Sequence, residues 1–107
     1  MHMAEFVVAA RVGQLQDPGK MLVEVDGRMV VLFLVQGRYS CIDDVCTHDG
    51  GPLGDGQLCG TSIACPRHGA RFDICSGRPL SMPATEATLV HEVKVEGDQI
   101  LVRLQDE

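Results

Sequence analysis

Short hydrophobic runs, some alternating with polar positions, are divided by turn signals along both ends of this chain, the pattern of strands rather than helices. Residues 6–12 and 21–25 have strand composition, and residues 13–19 between them read as a loop containing Pro18. Residues 29–35, Met-Val-Val-Leu-Phe-Leu-Val, are the longest apolar run. That run falls far short of the ~20 residues a membrane-spanning helix needs, so it reads as a buried strand. Asp26-Gly27-Arg28 precedes it, and Asp-Gly is a strong hairpin signal because both residues tolerate positive φ. Gln36-Gly37 predicts a second turn, into residues 38–43, which completes a meander. Towards the other end, residues 88–96 alternate, with Leu89, His91, Val93 and Val95 on one face. Gly97-Asp98 then turns the chain, and Ile100, Val102 and Leu104 alternate again. No segment carries a helical period.

Residues 44–83 interrupt this pattern. They are rich in Gly, Cys, Pro and His, with only short strand-like pieces at 62–64 and 70–74. So irregular a tract inside a compact domain is uncommon unless it is functional. A chain of 107 residues is enough for one domain and too short for two. The sequence therefore predicts a single all-β domain over 1–107, an antiparallel β-sandwich or barrel with a loop-rich insertion carrying the site. Composition fits: with no Trp, one Tyr and three Phe, the core must come from Val, Leu and Ile, and 12 Gly and 5 Pro supply turns.

Charge narrows the partners. A formal net charge of −6 argues against nucleic acid or an anionic membrane and favours partners with basic docking surfaces. The first residues show no basic stretch followed by an apolar one, so no targeting segment is expected. The expectation is a soluble, cytoplasmic protein. The cysteines number five, so they cannot all pair internally. In a cytosolic setting such a pattern points to metal before disulfides.

The insertion holds Cys46-Thr47-His48 and Cys65-Pro66-Arg67-His68, separated by residues 49–64. Each short pair is a clip whose ligands are positioned together, and two clips supply four ligands. Gly50, Gly51 and Gly69 follow the clips and would let backbone N–H groups approach a negatively charged sulfur. Three readings compete. Structural zinc takes these donors but usually pairs Cys with Cys and His with His. Chance would combine buried cysteines with scattered histidines. In a 2Fe–2S cluster with two thiolates on one iron and two imidazoles on the other, each loop gives one ligand to each iron. That reading accounts best for the mixed clips.

Cys46-Thr47-His48-Asp49-Gly50-Gly51-Pro52-Leu53 and Cys65-Pro66-Arg67-His68-Gly69-Ala70-Arg71-Phe72-Asp73 resemble the two boxes of the Rieske family. The flanking strand pattern resembles the rest of the Rieske domain, so the likeness spans essentially the whole chain. The resemblance implies one Rieske-type 2Fe–2S cluster, with Cys46 and Cys65 on the inner iron and His48 and His68 on the outer one. It implies a β-sandwich with a cluster-binding part at about 44–83. Rieske proteins of respiratory bc complexes carry two further cysteines that form a disulfide, and Gly51 and Arg67 stand at the matching positions here. Those proteins also place a Ser and a Tyr after the second box, where this chain has Ala70 and Phe72. Fewer donors to sulfur imply a potential near the low end of the Rieske range, roughly −150 mV.

A low-potential, single-domain Rieske protein resembles the ferredoxin component of bacterial ring-hydroxylating dioxygenase systems. The resemblance implies a monomeric electron carrier, not an enzyme, working between a flavin-dependent NAD(P)H reductase and a terminal oxygenase. A Rieske-like small subunit of a nitrite reductase is the alternative, and a Cys2His2 zinc domain the further one. Among the remaining residues, Cys41, Cys59 and Cys75 read as small hydrophobes or idle thiols, and His91 as a satisfied core or rim histidine. Asp43, Asp44, Asp49 and Asp55 read either as solvated loop residues or as an acidic rim for docking. Pro79 and Pro83 resemble a segment that shields the cluster, with a plain surface loop as the competing reading.

Overall fold

The computed structural model describes residues 5–45, 47, 51–66, 69–82 and 86–105, with no helix among them. β1 (Val7–Arg11) comes first, and the expected meander follows it as β2 (Gly19–Val25), β3 (Arg28–Val35) and β4 (Arg38–Asp43). The tract that follows holds β5 (Gln57–Cys59), β6 (Ser62–Ala64) and β7 (Arg71–Asp73), and β8 (Val90–Glu96) and β9 (Gln99–Arg103) return to the main body. Local chemistry sets the hairpins. Asp26 and Gly27 adopt φ of 50° and 81°, Gln36 and Gly37 of 53° and 78°. Each pair closes a two-residue turn, Val25 opposite Arg28 and Val35 opposite Arg38. Positive φ at both turn residues gives the twist that matches two antiparallel strands. Asp17 supports the second turn, its carboxylate accepting the N–H groups of Gln36 and Gly37, both at 2.8 Å.

Six strands form one antiparallel sheet in the order β1-β9-β8-β4-β3-β2, and β5-β6-β7 form a second, smaller sheet. The large sheet curls until its outer strands β1 and β2 lie alongside each other. Inside the curl pack Ala10, Val25, Val30, Leu32, Cys41, Ile100 and Val102. A second core joins Val31, Phe33, Val35 and Ile42 on the outside of the curl to Ile63, Phe72 and Ile74 of the small-sheet region. Successive strand residues face opposite ways, so β3 feeds both cores. This explains its unbroken apolar run: Val30, Leu32 and Leu34 face one core, Val31, Phe33 and Val35 the other. Burial of each such side chain is worth ~1.5–3 kcal/mol, so β3, with Ile42 of β4 and Val90 of β8, ties the two sheets together.

Two expectations need correction. The strand β5 is too short to show a period, and nothing in the sequence marked it. In β8 the expected buried face holds only in part: His91 is 4% exposed, but Val95 is 45% exposed. Val95 pairs with Ile100 beside the β8–β9 turn, at the end of the curl where little remains to cover it. On the other side of the same strand, Val90 packs against the second core.

Candidate metal centre

The first box leaves the main sheet at the end of β4. Asp44 Oδ1 accepts the N–H of Gly54 at 2.6 Å, which ties the chain after the first box back to the end of β4. Lys20 of β2 donates to the Gly54 carbonyl, so the same residue is held from both sides. Thr47, between the two candidate ligands, donates its hydroxyl to the Glu86 carbonyl at 2.6 Å and ties the box to the segment entering β8. Cys46 and His48 lie outside the described residues.

The second box starts where β6 ends. Cys65 is 2% exposed. Its N–H donates to the Ala70 carbonyl at 2.7 Å, and its carbonyl accepts from the Gly69 N–H at 2.9 Å. These two bonds close the chain between Cys65 and Ala70 into a loop at its described ends, with Gly69 at a φ of 74° that favours glycine. The Gly69 amide, expected to approach a sulfur, is spent inside the loop. Arg67 and His68 lie outside the described residues. Of the four candidate ligands, then, the structure describes Cys65 alone.

The stretches bearing the two boxes meet at Gly56. A Cβ there would stand 1.8 Å from the Ala64 carbonyl oxygen, so only glycine lets the chain after the first box pass the strand that enters the second. A buried thiol held by a closed backbone loop, in a donor set of two thiolates and two imidazoles, suits an iron–sulfur group. Around Cys65 the walls are apolar: Leu53, Ala70 and Phe72 are fully buried in the same core. Ala70 and Phe72 offer no hydroxyl.

The remaining candidates separate cleanly. Cys41 faces the interior of the curl, and burial, with the Asp43 carboxylate adding to it, pushes its thiol up to about 12. It is a small core residue. Cys59 and Cys75 are exposed and free, so the odd count leaves idle thiols. His91 is satisfied: the Gln105 N–H donates to Nδ1 at 2.9 Å, and Nε2 contacts Asp43 Oδ1 at 2.6 Å. An amide donating to Nδ1 leaves the ring proton on Nε2, which donates to Asp43. This network and the Asp44–Gly54–Lys20 clamp carried no sequence signal, because their partners are far apart in the chain. They also correct the picture of the four aspartates. Asp43 and Asp44 aim their carboxylates into the fold and form no acidic rim; Asp55 is exposed, and Asp49 lies outside the described residues. Pro79 pairs with Phe72 in a β-bridge, and Pro83 is outside the described residues.

Comparison with known proteins agrees with this geometry. Residues 5–96 match the family described as the Rieske [2Fe-2S] domain. The ferredoxin component of a naphthalene 1,2-dioxygenase system from Pseudomonas aeruginosa is 33% identical over 100 residues, covering 94% of this chain and 96% of that protein. Among solved structures, the ferredoxin of carbazole 1,9a-dioxygenase from Nocardioides aromaticivorans IC177 superposes with a TM-score of 0.88 at 29% identity, over 92% of this chain and 97% of that one. A ferredoxin chain in a complex of reduced oxygenase and oxidised ferredoxin from a carbazole 1,9a-dioxygenase gives 0.87 at 29% identity, over 92% of each chain. With the closed loop around Cys65, a match over nearly the whole fold shows that the chain belongs to the Rieske [2Fe-2S] domain family and that its cofactor is of the iron–sulfur kind.

Proposed function

We propose that this protein is a soluble, monomeric, cytoplasmic one-electron carrier that takes electrons from a flavin-dependent reductase and passes them to a terminal ring-hydroxylating oxygenase. Residues 44–83 form its cluster-binding part. Cys46, His48, Cys65 and His68 would hold one Rieske-type 2Fe–2S cluster. Such a cluster accepts and returns a single electron without making or breaking a substrate bond. The observation that carries the reading is the buried Cys65 in its closed loop, in a chain whose relatives at 31–33% identity over 96% of their own length are ferredoxin components of dioxygenase systems.

The chain's own residues would set the conditions for that electron. Leu53, Ala70 and Phe72, each fully buried, keep water from the Cys65 side. Ala70 and Phe72 give sulfur no hydroxyl donor, so the reduced state receives less stabilisation from hydrogen bonds. A midpoint near the low end of the Rieske range, roughly −150 mV, is expected.

The test is the visible and EPR spectrum of freshly purified protein, oxidised and reduced, with metal and sulfide analysis and a redox titration. A red-brown protein with about two irons and two sulfides supports the reading. A colourless zinc protein overturns it, and a midpoint above about +100 mV overturns the argument from Ala70 and Phe72. Cys65→Ser is expected to abolish the colour, whereas Cys59→Ser and Cys75→Ser keep it.

A further inference from the structure

The small sheet turns one face to the core and the other to solvent. Ile63 and Phe72 lie in the core, with Leu58 packed against it. By strand alternation, Arg71 and Asp73 of β7 therefore stand on the outer face. Residues 78–80 extend this sheet along β7. The Asp73 N–H donates to the Arg78 carbonyl at 2.9 Å, the Leu80 N–H donates to the Arg71 carbonyl at 2.7 Å, and Phe72 pairs with Pro79. Residues directly opposite in an antiparallel ladder share a face, so Arg78 and Leu80 join Arg71 on the outside.

The chemistry of this face differs from that of the whole chain. Arg71 and Arg78 are exposed, and the ion pairs among the described residues, Asp43–His91, Lys94–Glu96 and Glu92–Arg103, involve neither. Leu80 and Met82 are 55% and 76% exposed, the two highest values among the exposed large hydrophobic residues. Asp73 is the one carboxylate on this face among the described residues. Its oxygens accept the Cys75 N–H at 2.9 Å and the Ser76 hydroxyl at 3.1 Å, so it is held in its own turn. A chain of net charge −6 thus presents a cationic and apolar patch directly after its second cluster box.

We infer that this face docks the electron-accepting partner, at a contact surface that is apolar in the centre and ringed by carboxylates. The inference rests on the carrier reading and reverses, at this one place, the basic partner surface that net charge alone suggests. Two large apolar side chains supply area whose burial favours binding. The two guanidiniums select the sign of the partner and speed its approach. During transfer one electron leaves the reduced carrier and turns a ferric acceptor ferrous; no bond or proton moves.

The probes are two haem proteins of opposite surface charge, acidic cytochrome b5 and basic cytochrome c. Two quantities are read for each: the rate of its reduction by pre-reduced, desalted carrier, and the affinity of the oxidised carrier for the ferric probe by surface plasmon resonance. Arg71→Glu/Arg78→Glu is compared with Arg11→Glu/Arg38→Glu, the same change in net charge made at exposed positions beside the β8–β9 and β3–β4 turns. Leu80→Ser/Met82→Ser tests the apolar part. The expected result is that Arg71→Glu/Arg78→Glu lowers both rate and affinity for cytochrome b5 by about five-fold or more at low salt, with the EPR spectrum unchanged. The control pair should have a much smaller effect, and wild-type rates with cytochrome b5 should fall as salt rises. Equal effects of the two charge swaps, a wild-type rate with cytochrome b5 that rises with salt, or no effect of Leu80→Ser/Met82→Ser overturns the docking face and leaves the carrier reading standing. A protein that reduces neither cytochrome overturns both.

Discussion

His91 illustrates how a single residue can look unremarkable in sequence and prove structurally expensive. Its imidazole accepts the Gln105 amide and donates to Asp43, joining β8 to the end of β4, from which the first box departs. His91→Ala would leave a half-buried carboxylate and a backbone N–H without partners, at a cost of about 3 kcal/mol. Chemical denaturation of the variant should show that loss, with cluster content falling in parallel. Cys41 makes a different prediction. Burial, with the Asp43 carboxylate adding to it, pushes its thiol from an ordinary 9.0 up to about 12, so it stays neutral where the unfolded thiol ionises. The stability it confers is fully present below pH 9 and is lost as pH rises towards 12. Stability measured against pH should fall across that window, and Cys41→Ala should flatten the fall. A thiol reagent should label Cys59 and Cys75 in the native protein and reach Cys41 only on unfolding.

At the scale of elements, glycines separate turns that need a backbone shape from crossings that need space. Gly60 sits at a φ of 60° with open space where a Cβ would go, so Gly60→Ala should cost only the left-handed penalty of about 1–2 kcal/mol. Gly56 has no such space, and a Cβ would lie 1.8 Å from the Ala64 carbonyl. At Gly77 the same atom would lie 2.2 Å from the Thr88 carbonyl, at a φ of 74°. Both crossings hold insertion strands against their neighbours. Gly56→Ala and Gly77→Ala should therefore each cost more than about 3 kcal/mol, with Gly56→Ala also reducing cluster incorporation. Thermal unfolding and iron content of the three variants check the order.

In the whole molecule, the two cores lie on opposite faces of the large sheet, and β3 contributes to both along most of its length. Leu32 and Phe33 are adjacent and both fully buried, but they face different cores. Leu32→Ala and Phe33→Ala should each destabilise by about 3–4 kcal/mol. Only Phe33→Ala opens the core beneath the small sheet, so it should lose iron faster at equal stability. Iron release rates at matched fractions of the denaturation midpoint check this. Because β3 belongs to both cores, the two sheets should unfold in one step.

The sequence by itself determined the strands of the meander, its two tight turns and the pair of Cys/His boxes. These depend on neighbours in the chain: alternation sets a strand's face, positive φ sets a turn, and a short spacing sets a clip. It also placed the site in the one irregular tract, and the motif was specific enough to point to the family. The tertiary structure alone decided which residues hold that tract in place. Lys20 and Asp44 grip Gly54, Thr47 reaches Glu86, and His91 bridges Asp43 to Gln105. Such pairs leave no periodic trace, because their separation depends on how the large sheet curls. The fold also decided the direction of charge: hydrogen bonds hold Asp43 and Asp44 at the end of β4, while the outer face of the small sheet leaves Arg71 and Arg78 exposed, which net charge, a sum over the chain, could not reveal.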